Sequence, residues 1–233
     1  MNTTHTHTPS LQTRNLVKNF GHVVALRGIS LNIASGQSVA IMEPSGSGKS
    51  TLLHCLSGVL PPTSGHVWLN GKDISEASDK IRSKLRLNTC GFVFQDGQLV
   101  PELSARENVA IPLLLQGKKR TEAFTIADQW LDRLGIFEQK DRRPGDMSGG
   151  QMQRIAIARA LAPEPEVVFA DEPTGALDQS TGHEVIQILS MATQMRGATL
   201  VMVTHDPKVA QWCERIIEIR DGVIHADTYE KDQ

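Results

Sequence analysis

An α/β fold with a smaller inserted subdomain is predicted by three observations. Ser38 to Thr51, SVAIMEPSGSGKST, reads as a buried strand, a tight glycine-rich loop and the start of a helix. Two further apolar runs, Glu166 to Ala170 and Ala198 to Val203, read as core strands. The length of 233 residues suits one such domain plus a smaller subdomain.

The loop explains what the first strand and helix are for. Ser45, Gly46, Ser47 and Gly48 are small, so the backbone can wrap an anion with its N–H groups inward. The helix opening near Lys49 adds unpaired N–H groups and the positive end of its dipole. Lys49 supplies a charge to the β- and γ-phosphates, and the Ser50 hydroxyl, followed by Thr51, is placed to ligate Mg²⁺. This is a cradle for a nucleoside triphosphate. Glu43 stands where the P-loop pattern has its first glycine. Its side chain either points away from the phosphates or weakens nucleotide binding by like-charge repulsion.

The remaining elements follow in chain order. Residues 1–10 are polar and without periodicity; His5 and His7 are read as part of a disordered tail rather than a metal site. Leu11 to Ile33 holds two strands flanking Gly21 and His22, an antiparallel region near the nucleotide. Phe20, beside that turn, either stacks on a flat adenine ring or belongs to the core. The helix from Ser50 to Leu60 buries Leu52, Leu53, Leu56 and Val59, and Pro61-Pro62 stop it. Gly65 to Leu69 is a short strand before an Asn70-Gly71 turn, and Asp79 to Leu87 is a helix with a solvated basic face. Thr89 to Phe94 is a buried strand ending at Gln95.

Ser104 and Glu107 form a capping box for the next helix. The apolar residues Leu99, Val100 and Val109 to Leu115, broken by Pro112, are either a docking surface or the inside of a helical subdomain. Thr121 to Leu134 is an amphipathic helix with Ala127, Trp130, Leu131 and Leu134 inward, capped by Gly135. Ser148, Gly149 and Gly150 open another helix, and small residues there again suit an anion. Asp171 and Glu172 end the strand at 166–170, where open α/β sheets bind ligands. Asp178 opens a helix through Met195; His205 follows the strand at 198–203; Arg215 to His225 is a closing hairpin.

Composition excludes some classes of function. A formal charge of −2 argues against a general nucleic-acid binder. Cys55, Cys90 and Cys213 form no C-x-x-C pair and fit reduced residues of a cytosolic protein. No apolar run approaches the roughly 18–20 residues that span a bilayer. The first residues lack the charged-then-apolar pattern of a secretory signal. Work at a membrane would therefore need another polypeptide to do the spanning.

From about Leu11 to Asp227 the chain resembles the nucleotide-binding subunit of an ATP-binding cassette (ABC) transporter. The motifs stand in the family's order: EPSGSGKST at 43–51, Gln95, MSGGQ at 147–151, VVFADE at 167–172, GALD at 175–178 and His205. Met147 replaces the usual leucine, and Phe20 falls where the family places an adenine-stacking aromatic. The resemblance implies a P-loop NTPase (RecA-like) core, an antiparallel β subdomain, and an α-helical subdomain at about 96–160. Residues 1–10 and 228–233 are then tails. It implies ATP and Mg²⁺ as ligands, with Ser50, Gln95 and Asp171 at the metal, Glu172 as general base and His205 at the γ-phosphate. Ser148, Gly149, Gly150 and Gln151 would act on the ATP of a second copy. A transmembrane permease would dock near Gln95 to Leu115, on the cytoplasmic face of the inner membrane.

FVFQDGQLVPELSARENVAIPL and ADEPTGALD are similar to the branch of lipoprotein release, macrolide or antimicrobial-peptide export, heme export and cell division. That branch implies mechanotransmission through a permease, with heme as the first choice of cargo. The alternative it implies is regulation of a cell-wall hydrolase without transport.

Overall fold

The computed structural model describes residues 9–42 and 49–228. His5, His7, Glu43, Ser45, Gly46, Ser47, Gly48 and the side chain of Lys49 lie outside the described residues.

The chain opens with β1 (Pro9–Phe20) and β2 (Val23–Ala34), antiparallel as expected. Pro9 and Ser10, read from the sequence as tail, begin β1. Ser10 is buried, and its hydroxyl accepts a hydrogen bond from Thr199 Oγ1 at 3.0 Å. Next come β3 (Ser38–Met42) and α1 (Lys49–Leu56). This helix stops sooner than expected. Gly58 takes a left-handed φ of 69° and turns the chain before the prolines are reached, leaving Val59 exposed instead of buried. β4 (Ser64–Leu69) and β5 (Lys72–Asp73) flank Asn70-Gly71, both at positive φ as a tight hairpin demands. These strands complete an antiparallel sheet ordered β2-β1-β4-β5.

α2 (Asp79–Thr89) leads into β6 (Cys90–Phe94). Then come α3 (Ala105–Leu115), α4 (Arg120–Arg133) and α5 (Gly149–Leu161). β7 (Val167–Asp171), α6 (Gln179–Met195), β8 (Thr199–Thr204) and α7 (Pro207–Ala210) follow. The hairpin β9 (Arg215–Arg220) and β10 (Val223–Asp227) closes the chain. The second sheet is ordered β10-β9-β3-β8-β7-β6; β9, β3, β8, β7 and β6 are parallel neighbours.

The period of two in each central strand divides the core between the sheet's faces. Val39, Ile41, Phe169, Val201 and Val203 pack with α1 and the antiparallel sheet. Ala40, Val168, Ala170, Leu200 and Met202 pack on the other side, with α3 to α6. Arg215 and Asp227 form a buried bidentate pair, Nε to Oδ1 at 2.9 Å and Nη2 to Oδ2 at 2.6 Å. Arg215 Nη1 also donates to Asn32 O at 2.6 Å and ties the two sheets together. Thr228, expected in the tail, accepts from Ile216 N through its hydroxyl at 3.0 Å. The three cysteines are free and buried; burial pushes Cys55 up to about 11 and Cys90 and Cys213 up to about 12.

The capping box read from the sequence, Ser104 with Glu107, is present, and the structure adds a second, Ser148 with Gln151, that the sequence reading did not single out. The apolar run after Gln95 is split between its two readings. Val109, Ala110 and Leu113 are buried in the helical layer, whereas Val100 and Leu114 are partly open and Leu115 is 68% exposed.

Candidate nucleotide site

Four strand ends make the site. Met42 pairs with Thr204, Val203 with Asp171, and Asp171 with Phe94, so β3, β8, β7 and β6 finish at one edge of the sheet. The residues after those ends are the phosphate loop, His205, Glu172 and Gln95. Ligands gather at this carboxyl edge because the chain must turn there and the next helix begins there.

Ser50 Oγ donates to Asp171 Oδ1 at 3.2 Å. Glu172 sits at φ 47°, a left-handed conformation that costs a non-glycine residue about 1–2 kcal/mol. It is held there by its N–H on Val203 O and by its carbonyl accepting from Gly175 N, both at 3.0 Å. This turn aims the Glu172 carboxylate at His205, whose Nδ1 lies 2.8 Å from Oε2. Gln95 lies over Gly175, where an added Cβ would come within 2.8 Å of Nε2 and push the glutamine side chain aside. A cavity of about 450 Å³ is lined by Ser50, Gln95, Asp171 and Glu172, among others.

The donors on that cavity fit Mg²⁺. They offer a hydroxyl, an amide and a carboxylate, and Mg²⁺ takes few protein ligands while keeping waters and substrate phosphates. Among the described residues no cluster of three or more His, Cys, Asp or Glu could hold a metal alone.

Other predicted residues stand apart from this cavity. Phe20 ends β1 and is 49% exposed, with Lys18 Nζ 5.3 Å from its ring centroid; it is not core. Thr51 is half-buried in α1. Residues 148–151 line no part of the cavity. Ser148 Oγ accepts from Gln151 N at 3.3 Å, and Gln151 Oε1 accepts from Ser148 N at 3.0 Å. Gly149 faces Leu177, and Gly150 is pressed so close to Thr181 that a Cβ would lie 2.5 Å from its methyl. Hydrogen bonds from Thr181 and Ser180 hold the Asp178 carboxyl well below the usual range and fix the start of α6.

Sequence reasoning missed the side chains that hold the segment after Gln95. Gln153 Nε2 donates to Phe94 O at 2.8 Å. Arg159 donates from Nη1 to Gln98 O at 2.7 Å and from Nη2 to Gly97 O at 2.6 Å. Buried Asn108 donates to the carbonyls of Val100, Leu103 and Ser104 and accepts from Val100 N at 2.7 Å. The available signal was a polar residue on an otherwise apolar helix face, Gln153 beside Ile157 and Ala160.

Fold and edge together define a P-loop ATPase cassette. The family model described as "ABC transporter" matches residues 26–175, and the chain belongs to that family. It is 42% identical to the lipoprotein-releasing system ATP-binding protein LolD of Geobacter metallireducens, over 93% of this chain and 98% of that one. It is 45% identical to the macrolide export ATP-binding/permease protein MacB of Syntrophobacter fumaroxidans, over 88% of this chain but 29% of that protein. A dimeric post-hydrolysis structure of the ATP-binding cassette MJ0796 with ADP and Pi superposes with a TM-score of 0.86. The identity is 38%, covering 93% of this chain and 97% of that one. The chain is thus an ATPase of the LolD/MacB-type branch, acting on ATP with Mg²⁺.

Proposed function

We propose that two copies of this chain close on two ATP molecules and drive a membrane permease by mechanotransmission, for export or extraction of a cargo. The observation that carries the reading is the single sheet edge on which Ser50, Asp171, Glu172, His205 and Gln95 meet. Phosphoryl transfer asks a protein for positioning, charge stabilisation and an oriented water. Lys49 and the N–H groups of 45–48 hold the phosphates, and Phe20 stacks on the adenine. Ser50, Gln95 and Asp171 hold Mg²⁺, which when bound neutralises phosphate charge. Glu172 takes the proton from the attacking water, and His205, 2.8 Å from its carboxylate, orients it and meets the γ-phosphate.

Ser148, Gly149, Gly150 and Gln151 serve the partner's ATP. Their absence from this chain's own cavity favours that, as does the dimeric form of the MJ0796 cassette. Residues 11–227 act as one ATPase domain, with about 96–160 as the helical subdomain and the permease docked near Gln95 to Leu115. Among the described residues no helix is long and apolar enough to cross a membrane; relatives named as parts of lipoprotein-releasing and macrolide export systems favour a peripheral place on the cytoplasmic face of the inner membrane. For cargo, the names of relatives favour lipoproteins, macrolides or pyoverdine. No residue of this chain speaks for heme.

Glu172→Gln tests the reading. Turnover should fall by about 10²–10⁴-fold, the usual contribution of a general base. ATP should still bind, and light scattering should find an ATP-stabilised dimer. Near-normal hydrolysis removes Glu172 from the base role; a monomer in saturating ATP, with the permease present, removes the sandwich.

A further inference from the structure

A groove of about 570 Å³ lies between α4 and α6, lined by none of the residues of the nucleotide edge. Its floor is the buried Trp130. One wall is an apolar stripe on α6, Ile188, Met191, Ala192 and Met195, spaced i, i+3, i+4 and i+7. α6 already buries Val185, Ile186 and Leu189 on its inward face, so the stripe is a second apolar face. It is left open: Met191 is 53% and Met195 84% exposed. Both helices put a cation at the same mouth of the groove. Arg133 is the last residue of α4, and Arg196 caps the end of α6. Their guanidinium carbons lie 5.2 and 5.1 Å from the Trp130 ring centroid.

Two like charges drawn to one indole repel each other, and a cation–π contact offsets only about 0.5–1 kcal/mol at exposed sites. One acid is at hand, Glu164, and it pairs with Arg196. Arg133 has no carboxylate at ion-pair distance among the described residues. A guanidinium carries five N–H donors, so Arg196 can serve Glu164 and a second acid together. Among the described residues that line the groove, only Arg133 and Arg196 are charged. The mouth is cationic and the rest is apolar. The matching ligand has one acidic head and an alkyl tail. Methionine suits such a tail, because its unbranched thioether adapts its shape. Extended peptide finds no hydrogen bonds here, since the walls are helices that satisfy their own backbone. A partner helix is favoured by charges spread along a rim, whereas both cations stand at one end.

We propose that this groove binds a single-chain amphiphile of the fatty-acid class, its acidic head on Arg133 and Arg196 and its alkyl chain over Trp130 along Ile188, Met191 and Met195. A groove of this size lies within the usual range of small-molecule sites. The site shares no lining residue with the nucleotide cavity and does not depend on the permease reading. Glu164 competes with the ligand head for Arg196.

Calorimetric titration of the whole chain with sodium dodecanoate, kept below the concentration at which it forms micelles, tests this. Saturable one-to-one binding is expected. Arg133→Gln should weaken it about 10-fold or more, the usual loss for a charge-assisted hydrogen bond. Met195→Ser should weaken it by a similar factor through lost apolar contact. Both residues are exposed, so either variant should fold as the parent does. Glu164→Gln should tighten binding, because it removes the competing acid. Dodecyltrimethylammonium, with the same chain and the opposite charge, should bind at least about 10-fold more weakly. A dodecanoate carrying a diazirine on its chain should label the 188–195 stretch, mapped by mass spectrometry. The proposal is overturned if dodecanoate shows no saturable binding, if it binds the three variants as it binds the parent, or if the label falls elsewhere. Equal affinity for the ammonium removes the acidic head. Should a synthetic amphipathic helix of Leu and Glu bind in a Met195-dependent way while dodecanoate does not, the groove docks a helix and the fatty-acid assignment is wrong. Binding to phosphatidylglycerol vesicles without any response to dodecanoate assigns the face to a membrane surface and likewise overturns it.

Discussion

The sheet edge and the helical layer use polar side chains in opposite ways. At the edge, Gln95, Asp171 and Glu172 line a cavity, His205 stands against the Glu172 carboxylate, and Glu172 holds a backbone conformation that opposes folding. In the helical layer, Asn108, Gln153 and Arg159 spend their donors on the chain's own carbonyls at 94–104. The first region gives up stability to present groups to a ligand. The second uses buried hydrogen bonds to hold the segment that follows Gln95 in one shape.

Substitutions should therefore divide by region. His205→Ala is expected to have the largest effect, a loss of turnover of about 10²-fold or more, because it removes the group that orients the Glu172 carboxylate. Its melting temperature should stay close to the parent's, since His205 is exposed. A steady-state ATPase assay beside calorimetry reads both; a large melting shift would place His205 in the structural class.

Asn108→Leu should do the reverse. It strands the carbonyls of Val100, Leu103 and Ser104 and the N–H of Val100, and unsatisfied buried groups cost about 1–3 kcal/mol each. Denaturant unfolding should show a loss of roughly 2–3 kcal/mol, allowing for some of these groups finding water. Basal ATPase per folded molecule should change by less than about twofold. Unchanged stability would mean that the 100–104 turn does not depend on Asn108.

Glu172→Gly is the smallest expected effect and carries the opposite sign. Glycine accepts a φ of 47° without the Cβ penalty, so stability should rise by about 1 kcal/mol. A variant less stable than the parent would show that the Glu172 side chain contributes more to folding than its backbone costs.

Much of the architecture was legible because local rules govern it. The capping box at Ser104, the Asn70-Gly71 turn and the amphipathic stripe of α4 are set by residues within four positions of one another. The errors arose where a closer signal pre-empted a familiar one. Gly58 ended α1 before Pro61 could, and that left Val59 outside the core.

The site divides along the same line. The identities of Ser50, Gln95, Asp171, Glu172 and His205, and hence the chemistry they can perform, were written in the order and spacing of the motifs. Their convergence was settled by strand order, which brings Met42 beside Thr204 and Phe94 beside Asp171 through pairings far apart in the chain. The same holds for Gln153 on Phe94, 59 positions away, and Arg159 on Gly97, 62 away. A hydrogen bond is specified by two groups meeting in space. The local periodicity of a sequence records which face a side chain takes, but not which distant carbonyl that face will meet.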